Sequence, residues 1–396
     1  METPVVLGVD LGTAAIKAFL ADTKANNTIT VISSSAVPTV GFEKGALTDA
    51  PALAMAVRRA VDNALAAAGV PMQAIFLGLG GLDIRSFNSV GSIVLEPGRH
   101  IAQPEIDKVH LAAVNALLPE DYSALHILPL EYWVDGQKQS SVPLRSTGDR
   151  LEAEIHVVAI AQKTIKELTD ALQIVGISVD SVVANAIADA QILHSQSLLD
   201  DCLLMDIGAG TADMVIYHGG KVRMSATLPI GGEYITTDLM QGLQVTRPHA
   251  EGIKRYYAKL DQGLLGQKAQ LDCNDPGTTG KIFPYDLLYN IVESRVEEIS
   301  SLLFEFAHPL LVKYHIDRIF LTGGCAVMPS IRNSVERIFD MKTELIEAQG
   351  LPEEYVHPTS TACFGILNYA KQNRPIAPIA PPQSCQGLFQ KIRKFF

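Results

Sequence analysis

At 396 residues the chain is too long for one ordinary domain and suits two or more. Hydrophobic residues make up 47% and charged residues 19%, a composition that supplies a sizeable core and excludes a largely disordered chain. The net charge of −11 argues against non-specific nucleic-acid binding.

Residues 1–4 lead straight into a strand-like run, with no basic stretch and no cleavage site, so no signal peptide is expected. Residues 5–9 read as a buried strand and 15–21 as its hairpin partner across a glycine turn. Residues 51–68 are alanine-rich with helical spacing between Pro51 and Gly69, and 74–80 return to strand. Over 84–162 the texture changes. Short strands at 92–95, 126–128 and 154–161 flank a helix near 103–118 with Pro104 in its first turn, and the segment reads as an inserted α/β subdomain. Helix is expected over 163–175, strand over 179–183 and helix over 186–198. Residues 202–207 and 214–217 form a second strand pair around a glycine turn. Residues 232–313 read as mostly helical with a break over 263–281. Strand at 318–321 leads through Gly323-Gly324 to a helix over 329–339, and a final helix covers 360–370.

Pro375, Pro378, Pro381 and Pro382 make 374–384 a semi-rigid linker ahead of the tail 386–396. Five cysteines (Cys202, Cys273, Cys325, Cys363, Cys385) form no CxxC pair, and the ten histidines form no HExxH cluster. A reducing cytosol is the simpler expectation than a disulfide framework or zinc site. No apolar run approaches the roughly 18–20 residues of a spanning helix, so membrane contact is expected to be peripheral.

One device recurs in both halves. The first copy is Gly8-Val9-Asp10-Leu11-Gly12-Thr13. The second is Met205-Asp206-Ile207-Gly208-Ala209-Gly210-Thr211-Ala212-Asp213. Each is strand, aspartate, glycine turn, strand. A glycine turn lets backbone N–H groups approach a phosphate with no Cβ in the way, and Thr13 and Thr211 add hydroxyl donors. Asp10 and Asp206 end buried strands, where they can hold hydrated magnesium, and Lys17 can neutralise phosphate charge. One such turn alone is an ordinary hairpin; two copies, each after a buried strand, point to phosphate binding with Mg2+. No GxxxxGK[ST] loop is present. Gly323 and Gly324, in Thr322-Gly323-Gly324-Cys325-Ala326, would let a base or ribose lie on the backbone. Glu251 and Lys254, three apart, share a helix face and can bond ribose and base edge, although on their own they read equally as a surface ion pair.

In the tail, Leu388, Phe389, Ile392, Phe395 and Phe396 fall within an arc of about 120° on a helix, with Gln390, Lys391, Arg393 and Lys394 opposite. An apolar aromatic face with a basic flank describes an interfacial helix for an anionic lipid surface.

The order of these pieces resembles the actin, Hsp70 and sugar-kinase superfamily: phosphate loop one at 10–13, connector one at 184–190, phosphate loop two at 206–213, adenosine loop at 322–326, connector two at 358–367. Within it the chain is most similar to the FtsA family of bacterial actin homologues. Arg150-Leu151-Glu152-Ala153-Glu154-Ile155-His156 and His126-Ile127-Leu128-Pro129-Leu130-Glu131-Tyr132 resemble that family's 1C subdomain, and the proline linker and tail resemble its membrane-targeting sequence. Ala209 departs from the pattern, standing where relatives have a third glycine, and the 2B region is divergent. The resemblance implies an α/β, actin-like (ribonuclease H-like) duplicated fold with an inserted 1C-type subdomain. Subdomain 1A would take 1–83, 163–200 and part of 360–372; 1C, 84–162; 2A, 201–231 and 316–359; 2B, 232–315; the linker, 373–385; the membrane helix, 386–396. It also implies ATP-dependent self-association into filaments beneath the cell membrane at the division site, recruitment of the tubulin-like protein FtsZ through 2B, contacts with other divisome proteins, and slow hydrolysis at most. Two relatives stay open on the residues alone: a PilM-type pilus-assembly adaptor and a small-molecule kinase. The kinase would need a catalytic aspartate facing a substrate pocket and would have no use for the tail.

Overall fold

The computed structural model describes residues 5–23, 29–70, 72–195, 201–257, 270–272, 282–348 and 353–373. The expected linker over 374–385 and membrane helix over 386–396 lie outside the described residues, as do 196–198 and most of the expected break over 263–281.

The first half opens with β1 (Val5–Leu11), β2 (Ala15–Asp22) and β3 (Thr30–Pro38). A small hairpin of β4 (Phe42–Glu43) and β5 (Ala46–Leu47) precedes α1 (Ala50–Ala68) and β6 (Ala74–Leu79). Asp49 caps α1 by accepting from the Ala52 N–H at 3.0 Å, a bond worth about 1 kcal/mol, and Pro51 fits the first turn. The insert follows as β7 (Ile84–Val94), α2 (Gln103–Leu117), β8 (Tyr122–Val134), β9 (Gln137–Gln139) and β10 (Arg150–Ala161). The half closes with α3 (Gln162–Ile174), β11 (Ser181–Ala184) and α4 (Asn185–Ser195).

The second half repeats the plan with β12 (Cys202–Ile207), β13 (Ala212–His218) and β14 (Lys221–Leu228). Helices α5 (Gly232–Leu243) and α6 (Arg247–Tyr257), short strands β15 (Gln270–Asp272) and β16 (Ile282–Pro284), and α7 (Tyr285–Tyr314) come next. Then come β17 (Arg318–Thr322), α8 (Pro329–Phe339), β18 (Lys342–Leu345) and α9 (Thr361–Gln372). The two main sheets have one topology: β3-β2-β1-β6-β11 and β14-β13-β12-β17-β18, each with an antiparallel meander followed by two parallel strands.

Both sheets are covered on both faces, so their central strands read as unbroken apolar runs. Val5, Leu7, Val9 and Leu11 pack with α1 and α3, whereas Val6 joins a core shared with α4, α9 and the second sheet. Leu203, Met205 and Ile207 pack with α5 and α7, whereas Cys202 and Leu204 join the shared core. The period of 2 therefore turns Asp10 and Asp206 toward the layer between the sheets, where α4 and α9 lie.

The insert is a four-stranded antiparallel sheet, β7-β10-β8-β9, with α2 on one face. Its strands are longer than the short runs expected at 92–95 and 126–128. Pro129 interrupts the apolar pattern of β8, and the register with β10 slips beside it, where Glu154 faces Glu131 but Ile155 faces Pro129. A bulge is where a strand tolerates proline. The third strands β3 and β14 were not foreseen, because serines in the one and Lys221 and Arg223 in the other mask their alternation.

The insert's free face meets the open edge of β14. The carbonyls of Arg223 and Ser225 accept from Asn88 (3.1 Å) and Ser86. His156 bonds Asn88 Oδ1 at 2.7 Å through Nδ1 and Ser225 Oγ at 2.9 Å through Nε2. Glu131 receives Arg223 at 2.7 Å and Lys221 at 3.4 Å. Burial raises the Glu131 carboxyl, but Arg223, Lys138 and Lys221 outweigh it and leave it at about 2.

Candidate functional site

The ends of β1 and β12 face each other across the layer of α4 and α9. Asp10 is buried and Lys17, its cross-strand neighbour on β2, stands 4.0 Å from it. Lys17 also donates to the Thr359 carbonyl. Asn185, the first residue of α4, donates Nδ2–H to Asp10 Oδ1 at 3.0 Å. Across the cleft Asp206 pairs with Asp213 on β13, and Thr227 on β14 donates to Asp213. Asp189 on α4 is buried between the two sets, and neither of its carboxylate oxygens has a hydrogen-bond partner among the described residues.

Four carboxylates thus share one desolvated layer. Burial, then the charges of Asp206, Asp213 and Asp10, raises Asp189 well above the ordinary carboxylate value. Burial, then Asp213 and Asp10, pushes Asp206 up to about 8. Burial lifts Asp213 to about 7 against the Thr227 bond, and it raises Asp10 against Lys17 and Asn185. Among the described residues no three His, Cys, Asp or Glu side chains converge closely enough to ligate an ion directly. A cation at the cluster would be held through its own water.

The glycine loops converge on the same place. A Cβ on Gly210 would stand 2.6 Å from Thr13 Oγ1, so only a glycine lets the two loops touch. Gly208 and Ala209 carbonyls accept from the Gly232 and Glu233 N–H groups at the start of α5, at 3.1 and 2.7 Å. Gly323, at φ 93°, lies where a Cβ would stand 2.1 Å from Asp206 Oδ1. Gly324 follows it, and the next N–H, of Cys325, donates to the Ile207 carbonyl at 2.9 Å. Gly12 closes the first turn, with Thr39 donating to its carbonyl at 2.6 Å. Thr211 accepts the Gly208 N–H at its carbonyl, at 2.9 Å.

Glu251 and Lys254 pair at 2.7 Å beside this loop cluster. Lys254 also donates to Thr236 at 2.7 Å and the Gly232 carbonyl at 3.1 Å, which commits its three protons and ties α6 to α5. Burial raises Glu251, but Lys254 and Thr236 outweigh it and hold its carboxyl below the ordinary value. Of the pair, Glu251 keeps one oxygen, Oε2, outside these bonds, with Arg255 4.0 Å from it. Sequence reasoning located connector one but missed Asn185 and Asp189 within it. Their signal is an i, i+4 polar pair within the otherwise apolar stretch 185–190. The residues expected to meet a membrane, Leu388 to Phe396, lie outside the described residues.

The family model described as "Cell division protein FtsA" matches residues 203–365, and that described as "SHS2 domain inserted in FTSA" matches 81–159, the segment that folds as the insert. Cell division protein FtsA of Pseudomonas aeruginosa is 29% identical over 376 residues, which cover 93% of this chain and 90% of that protein. FtsA of Escherichia coli K12 is 24% identical over 386 residues, covering 94% and 91%. Among solved structures, the PilM-PilN type IV pilus biogenesis complex matches with a TM-score of 0.68 at 15% identity, covering 92% of this chain and 98% of that one. MreB5 of Spiroplasma citri bound to ADP matches with a TM-score of 0.54 at 14% identity, covering 94% and 99%. The fold is actin-like with an inserted SHS2 domain, and the chain belongs to the FtsA family of cell division proteins.

Proposed function

We propose that this cell division protein binds ATP with Mg2+ between its two halves, assembles into filaments on the cytoplasmic face of the cell membrane at the division site, and tethers the FtsZ ring there alongside other divisome proteins. One observation carries the nucleotide reading: two glycine loops, one from each half, touch at Thr13 and Gly210 above a layer of buried aspartates. A cation fits that layer, because among the described residues Asp189 has a carboxylate with no hydrogen-bond partner and Asp10 has Lys17 as its ion-pair partner. Asp10, Asp206 and Asp189 would hold the ion through its waters. Bound there, magnesium would neutralise phosphate charge. Gly12, Gly208 and Gly210 offer backbone to the phosphates, and Gly323, Gly324 and Glu251 border the space for the nucleoside. The MreB5 structure of the same fold holds ADP.

The membrane reading rests on the tail sequence, since no helix among the described residues is long and apolar enough to cross a membrane. Full burial of an apolar side chain contributes roughly 1.5–3 kcal/mol, but ordering the tail costs on the order of 1–2 kcal/mol per residue. Lys391, Arg393 and Lys394 add about 1 kcal/mol each at an anionic surface. One tail therefore binds weakly and a filament of many binds tightly. The pilus-adaptor reading has the PilM fold in its favour; co-purification with FtsZ rather than with a pilus peptide separates the two. On an anionic lipid monolayer with ATP and magnesium, the protein should form filaments visible by electron microscopy. Ile392→Glu with Phe395→Glu should leave the lipid while keeping ATP affinity. Retention of that double variant on the lipid would overturn the tail as anchor.

A further inference from the structure

The β4–β5 hairpin belongs to neither main sheet, yet it spans the cleft. It is approached from phosphate loop one, where Thr39 donates its hydroxyl to the Gly12 carbonyl at 2.6 Å and its N–H to the Ala14 carbonyl at 3.3 Å. Its tip, Lys44 and Gly45, rests on phosphate loop two. A Cβ on Gly210 would stand 2.9 Å from Lys44 Cα, and one on Gly45 would stand 2.7 Å from the Thr211 methyl. The Leu82 N–H donates to the Gly45 carbonyl at 3.0 Å and ties the tip to the first half. A piece of the first half therefore lies on the second half's loop, at the point where the two loops meet. The cleft cannot open without parting this contact.

Lys44 is exposed at that tip. Among the described residues it makes no ion pair; its ammonium stands 4.4 Å from the centroid of the Tyr234 ring on α5. A cation over an aromatic face at an exposed site is held weakly. Its four-carbon stem is flexible, and its Cα already touches the loop that would cradle phosphate. The charge count favours the move. Among the described residues the ammonium of Lys17 faces the aspartates around the cleft, and a triphosphate would bring several more negative charges.

We propose that the hairpin tip is a clasp over the phosphate chain and that Lys44 binds the terminal phosphate of a nucleoside triphosphate, leaving Tyr234 to do so. The inference rests on the nucleotide reading above and adds to it a residue that distinguishes triphosphate from diphosphate. The diphosphate lacks the group Lys44 reaches, so Lys44 stays on Tyr234 and the clasp gains nothing from it.

Calorimetric titration of the full chain with ATP and with ADP, each with magnesium, tests this in the wild type and in Lys44→Ala, Lys44→Glu and Lys44→Arg. Lys44→Ala should weaken ATP about tenfold and ADP less than about twofold. Lys44→Glu should widen the loss for ATP, and Lys44→Arg should restore most of it. An unchanged ratio of ATP to ADP affinity in Lys44→Ala and Lys44→Glu, with wild-type binding intact, overturns the clasp alone and leaves the hairpin a buttress. Absence of nucleotide binding by the wild type overturns the clasp together with the site on which it rests.

Discussion

At the scale of residues, the site holds acids that the fold makes expensive to ionise. Asp206 at about 8 and Asp213 at about 7 stand above the unfolded carboxylate value of about 4. The folded chain therefore keeps protons that the unfolded chain has lost. The stability this represents is full below pH about 4 and is lost as pH rises through about 8. Above pH 7 the buried histidines do not confuse the reading, since His126 and His156 are pushed down to about 3 and about 4 by burial and titrate at lower pH. Without nucleotide or metal, the protein should lose stability between pH 7 and 8.5, and Asp206→Asn should flatten that slope. Thermal melting curves give the answer; equal slopes in both proteins would contradict it. Asp10, Asp206 and the glycines were legible in the sequence because side chain, turn and strand lie within a few residues. Asn185 and Asp189 were not, because the helix says nothing of a partner on β1, 175 positions away.

At the scale of elements, β14 joins the insert to the nucleotide cleft. Its Arg223 and Ser225 carbonyls are capped by Asn88 and Ser86, and two residues on, Thr227 bonds Asp213. Burial keeps His156 neutral: Asn88 donates to Arg223 and so presents its oxygen to the histidine Nδ1–H, which leaves Nε2 of the neutral ring to accept from the Ser225 hydroxyl. Asn88→Ala strips His156 and the Arg223 carbonyl of partners, at a cost of about 1–3 kcal/mol. Amide hydrogen exchange over 221–228 should quicken in that variant while the core of β12 and β17 stays protected. Unchanged exchange over 221–228 would show that the insert does not hold this strand. The insert was legible as a change of texture, but its contact with β14 was not, since both faces are polar. The same polarity concealed β3, whose serines sit in an interior setting: Ser33 is buried and donates to the Ala64 carbonyl at 2.7 Å.

At the scale of the whole molecule, the duplication explains both the cleft and its coupling. Two sheets of one topology set Asp10 and Asp206 at equivalent strand ends, and α4 and α9 fill the layer between them, with Gly365 against Ala188 where they cross. Nucleotide between the halves would draw loop one, loop two and the 322–326 turn onto one ligand. That would fix the angle of the halves and, through β14, the stance of the insert. The duplication was legible because both copies keep the same aspartate and glycines. The way α6 is bound to α5 through Lys254 was not, because a Glu/Lys pair three apart reads equally as a surface ion pair. The central claim is that Asp206 serves a magnesium-nucleotide site and not the fold. Calorimetric titration of ATP into the wild type and Asp206→Ala, with and without magnesium, tests it most directly. Magnesium should strengthen ATP binding in the wild type and make no difference in Asp206→Ala, which should melt no lower than the wild type at pH 8; the same magnesium-dependent affinity in both proteins would contradict the account.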